Sequence, residues 1–172
     1  MKKLIYTFIF VLSLQVANAQ DLFSAARAND TKQLEKLLAN NQDVNAVNER
    51  GYTPLILAIY NNSADATKLL LSKGANPNAQ DKSGNNALMG AAFRGYPEMA
   101  KILIDNKADV NQVNYSGASS LIFAVTFGQN DIAKQLISAG ADLTIKDNSG
   151  TTAKDHAILQ ENKAMIVLLS KS

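Results

Sequence analysis

The 172-residue chain has no cysteine and no tryptophan, one histidine and only three prolines. Without cysteine it can build neither a disulfide nor a thiolate metal site. With His156 as its sole imidazole it lacks the ligands for zinc, so no metal or cofactor is expected. No serine motif recurs near His156, which speaks against a catalytic triad and against an enzyme. Few prolines and a hydrophobic content of 47% speak against disorder. Glycines are spread out rather than gathered into a phosphate-binding loop.

A membrane-length apolar run is also missing. Leu4 to Val16 is mostly apolar but falls short of the roughly 20 residues of a span and includes Thr7, Ser13 and Gln15. Lys2 and Lys3 precede it, and Ala17-Asn18-Ala19 offers small residues where a signal peptidase reads. The expectation is a leader of residues 1–19, cleaved between Ala19 and Gln20, with the mature chain periplasmic or secreted from a bacterium. The leader holds two lysines and no acid, so fifteen basic residues then balance fifteen acidic ones. That balance gives no basic face for nucleic acid and no drive toward anionic lipid.

What the chain has is a period. Gly51 returns 33 residues later as Gly84, then as Gly117 and Gly150. Leu55 returns as Leu88 and Leu121, Ala58 as Ala91, Ala124 and Ala157, and Leu70 as Leu37, Leu103, Leu136 and Leu169. Such self-similarity marks short units that bury their apolar sides only against their neighbours. Thr53, Asn86, Ser119 and Thr152 stand where a first helix would start, and each is a good N-cap. Asn48, Asp81, Asn114 and Asp147 each lie three residues before the glycine and can bond the turn backbone. Pro54 and Pro97 suit a first helical turn. Lys107 stands where Gly74 and Gly140 stand in other units, past a helix end that favours positive φ.

The expected units are an N-terminal cap at 20–47 and repeats at 48–80, 81–113 and 114–146. A C-terminal cap follows at 147–172, with Val167 left exposed. In the first unit Asp21 would cap the opening helix, and a second helix over 31–40 would present Leu34, Leu37 and Leu38. The fourth would bury Leu121, Ala124, Ile132, Ala133, Leu136 and Ile137.

Gly51-Tyr52-Thr53-Pro54-Leu55-Ile56-Leu57-Ala58 and Gly74-Ala75-Asn76-Pro77-Asn78 resemble the ankyrin repeat family, and the likeness extends over 21–172. Ile56, Met89 and Ile122 depart from it, standing where the family usually has histidine. The resemblance implies an all-α repeat solenoid of about five helix-turn-helix units with β-hairpin connections. It also implies protein binding through the hairpin tips and the concave helix face.

Tyr52 and Tyr115 map to hairpins, and Tyr60, Phe93 and Phe127 to the ends of first helices. With Arg94 they are the expected partner contacts, and Glu49, Arg50 and Lys82 would tune orientation from the rim. Packing of the same rings between repeats is the competing role for each. The expected function is a monomeric, non-enzymatic protein that binds, and inhibits or protects, an envelope protein. The alternative is a structural protein that self-associates through the ends of its stack. An enzyme would have to depend on His156.

Overall fold

The computed structural model describes residues 22–170; the leader and Asp21 lie outside them. Two compact units divide the chain, one ending at Ala75 and the other starting at Asn76.

The first unit holds two helix pairs. Residues 22–27 form α1, followed by α2 (Thr31–Ala39), α3 (Pro54–Tyr60) and α4 (Ala64–Ser72). Helix α2 stops at Ala39, and Asn40 serves as its C-cap. Leu22, Leu34, Leu55, Ile56, Ile59 and Leu70 are fully buried, each contributing about 1.5–3 kcal/mol by leaving water. Leu38 is only half-buried. The side chain of Ser63 does not cap α4. Asn29 of the preceding pair does so, its Oδ1 accepting from Ala66 N at 2.8 Å.

The second unit repeats the arrangement three times. Its pairs are α5 (Ala87–Arg94) with α6 (Pro97–Asp105), α7 (Ser120–Thr126) with α8 (Asn130–Ser138), and α9 (Ala153–Leu159) with α10 (Lys163–Leu168). The first helices pack side by side, α5 on α7 and α7 on α9, while α6 packs on α8. Gly90, Ala91, Ala92, Ala124 and Ala157 are buried at these helices, where small side chains allow close approach. Met99, Leu103, Leu121, Ile132, Leu136 and Met165 fill the layers between. Ile137, expected inside, is half-buried because its side of α8 turns partly to solvent.

All four expected N-caps bond as their side chains require. Thr53, Asn86, Ser119 and Thr152 accept from Ile56 N, Met89 N, Ile122 N and Asp155 N at 2.9–3.3 Å. Ile56, Met89 and Ile122 are buried apolar residues, so packing occupies the place of a polar contact there.

The turns are held by their carboxylates and amides. Asn48, Asp81, Asn114 and Asp147 each accept, through Oδ1, from the N–H groups two and four residues ahead. This side-chain bonding takes up donors that a longer strand ladder would use. The expected β-hairpins therefore shrink to single antiparallel bridges, Val113 with Ser119 and Lys146 with Thr152, and no strand forms among the described residues. Adjacent turns of the second unit join through Tyr115 N to Ser83 O at 3.1 Å and Asn148 N to Ser116 O at 2.9 Å. A second seam runs from Asp109 N to Asn78 Oδ1 and from Asp142 N to Asn111 Oδ1, both 2.7 Å. Lys107 does adopt positive φ, at 67°.

Candidate functional site

The expected contact residues divide between the two units. In the first, Glu49 and Arg50 are exposed on the turn that Asn48 closes. Tyr52, expected on a projecting finger, is half-buried, with its ring 5.9 Å from that of Tyr60. Helix α3 ends at Tyr60, which brings the two rings together across one repeat.

In the second unit, α5 ends in Phe93 and Arg94, and Phe127 is the C-cap of α7. Because α5 and α7 lie side by side, Phe93 and Phe127 meet edge to face at 4.8 Å between centroids. Phe123, one turn back on α7, lies 6.0 Å from Phe127. Phe93 and Phe127 each remain 44% exposed despite this contact. A ring pair in this geometry gains about 0.5–1.5 kcal/mol beyond its area burial, which favours the contact while part of each ring stays open to water.

Arg94 follows Phe93 at the end of α5 and is exposed. Its Nη2 donates to the Tyr96 hydroxyl at 3.1 Å, and the guanidinium carbon lies 5.6 Å from the Tyr96 ring centroid. That contact restrains the planar group without neutralising it. Tyr115 is 69% exposed and lies over the turn of the preceding repeat. The contact with that turn is close enough that a β-carbon on Gly84 would come within 2.7 Å of Tyr115 N and Cδ1. Lys82 is exposed on the same turn as Gly84.

Some features were not read from the sequence. Ile158 and Leu159 are exposed at the end of α9, in addition to the expected Val167 on α10. Ile158 stands one period after Val125, which is buried, so the period alone did not signal its exposure. Asn29, Asn62 and Glu161 adopt positive φ at the position of Gly95 and Gly128; in Asn29 and Asn62, a residue type tolerant of that region was the available clue.

His156 is engaged structurally. Its Nε2 lies 2.9 Å from Asp147 Oδ2, so Nε2 carries the proton and α9 is tied to the turn before it. This hydrogen bond, followed by one from Thr151 N, holds the Asp147 carboxyl below the usual aspartate range. Asp155 is lowered by the Thr152 hydroxyl and then by its backbone N–H, the reciprocal contact of a capping box. No group of three metal-ligating side chains converges among the described residues. No helix among them is long and apolar enough to cross a membrane.

The family profile described as ankyrin repeats (3 copies) matches residues 22–114, and that described as ankyrin repeat matches 116–148. The last helix pair, α9 and α10, lies beyond the matched residues but keeps the pairing of the others. No curated protein matches the chain.

Proposed function

The chain belongs to the ankyrin repeat family, and from that premise we propose that it is a non-enzymatic binding protein of the bacterial periplasm. On this reading the leader is removed after Ala19. The mature chain then binds an envelope protein and inhibits or protects it. Ankyrin repeats generally mediate protein–protein interaction. The observation that carries the reading is the pair Phe93 and Phe127, in contact edge to face yet half open to solvent. Rings and guanidinium groups that are rigid before contact lose little entropy on binding and act as interface anchors. The engagement of His156 by Asp147 supports a structural rather than catalytic histidine.

A photo-crosslinking side chain placed at Phe127 or Tyr115 in living cells tests this reading. It should yield a discrete protein adduct, while the same group at Lys101 on the outer helix α6 should not. Adducts of equal yield at all three positions, or at none, would contradict it.

A second reading rests on Ile158, Leu159 and Val167, which leave an apolar surface on the last helix pair. Copies of the chain would associate through that surface. Light scattering decides: a mass that stays monomeric as concentration rises excludes it.

A further inference from the structure

Resting on the second reading, that copies associate through the last helix pair, we infer that they form a two-fold pair. Helix α9 lies antiparallel to α9 of the second copy, with Ile158 at the centre. The surface is marked by lost cover. Helix α9 packs on α7 and α10. Leu121, Ile122, Val125 and Ala133 are buried, and a further repeat follows theirs. One period on, Lys154, Asp155 and Ile158 are exposed and Ile166 is half-buried. These four positions outline the face that another repeat would cover. Val167 does not belong to it, because Lys134 at the same position is exposed although a repeat follows.

The charges along that face are self-complementary. Lys154 and Ile158 stand four residues apart on one side of α9. Glu161 follows the helix, its N–H donating to Ile158 O at 3.0 Å. A cation, an apolar side chain and an anion therefore succeed one another, all three exposed. Among the described residues neither Lys154 nor Glu161 has an ion-pair partner. The other charged groups of the pair are engaged or lie elsewhere. Asp155 is bonded to Thr152, with the positive charge of Lys146 acting on it, and His156 is bonded to Asp147. Lys163 stands one period after Asn130, which is exposed although a repeat follows. An antiparallel two-fold contact sets Ile158 against the partner's Ile158, and Lys154 against the partner's Glu161, in both directions. A parallel contact would oppose like charges. Head-to-tail stacking lacks a complement: α1 and α2 expose Ser24, Arg27, Lys32, Glu35 and Lys36 and no large apolar side chain. A contact of so few side chains belongs to the weak class, below roughly 1,200 Å² in total, so the dimer forms at high concentration.

The experiment is sedimentation velocity of the purified chain over a rising concentration series, with circular dichroism checking that each variant is folded. The mass should rise toward twice the monomer, and Ile158→Glu should hold it at the monomer. Lys154→Glu and Glu161→Lys should each weaken the dimer about tenfold or more. An equal mixture of those two variants should dimerise again, since both cross-pairs then join opposite charges. A parent chain that stays monomeric at every concentration would overturn the self-association reading and this inference together. Association that survives Ile158→Glu, or that ignores the charge variants and their mixing, would overturn the antiparallel contact while leaving self-association standing. Assemblies that grow past the dimer would do the same, in favour of head-to-tail stacking.

Discussion

Replacing Asn114 by Ala tests whether the turn side chains hold adjacent repeats together. Asn114 is 7% exposed. Its Oδ1 accepts from Ser116 N at 3.0 Å, Ser116 Oγ at 2.9 Å and Ala118 N at 2.9 Å. Its Nδ2 donates to Asn85 Oδ1 of the preceding repeat at 2.8 Å. Truncation removes all four bonds and leaves two partly buried backbone N–H groups without partners. At about 0.5–1.5 kcal/mol for each bond, with water replacing the outermost, the loss is about 2–4 kcal/mol. For a chain of this size that lowers Tm by roughly 5–10 °C. Asn114→Asp keeps the acceptor and loses the donor, setting a carboxylate against Asn85 Oδ1. It should cost about 1 kcal/mol, since Asp81 and Asp147 already serve the same turn elsewhere. Urea denaturation followed by circular dichroism reads both. Equal losses for the two variants, or a loss below about 1 kcal/mol for Ala, would refute the reasoning.

Two further outcomes follow from the same turns. Gly84→Ala should cost about 2–4 kcal/mol, because positive φ combines with a clash against Tyr115 backbone; Gly150→Ala, with open space around it, should cost only about 1 kcal/mol. Matching Tm losses for the two would show that the contact with Tyr115 is absent in solution. Asp147 has its pKa lowered in the folded chain, chiefly by the His156 hydrogen bond. Its contribution is therefore present above the unfolded value of about 4 and lost as pH falls through the lower folded value. Asp147→Asn should be less stable than the parent chain at neutral pH, with the difference closing below about pH 4. A difference constant down to pH 2 would contradict the assignment.

The repeat architecture was legible in the sequence because period, caps and turns each impose a residue type. Thr53, Asn86, Ser119 and Thr152 were readable since only a short polar side chain can bond the third N–H of a helix. Lys107 was readable as a strained position because glycine marks that site in its neighbours. The hairpin length was not, since the competition between Asx bonding and strand pairing depends on geometry. The candidate site was readable as a composition, aromatics and arginine at repeat ends, but not as an arrangement. Phe93 and Phe127 stand 34 residues apart, one off the period, so their contact depends on how α5 and α7 pack. Tyr52 illustrates the same point: placed on a turn by its register, it folds back against Tyr60.

The most direct test of the account is the Phe93→Ala/Phe127→Ala variant, measured for binding to the protein that crosslinks through position 127 and for thermal stability. The account predicts that affinity falls by at least about 30-fold, as for a central pair of anchors. Unfolding free energy should fall by about 2–4 kcal/mol, from the lost ring contact and the buried part of each ring. Unchanged affinity together with a large loss of stability would show that the two rings are core residues, and the account would fail.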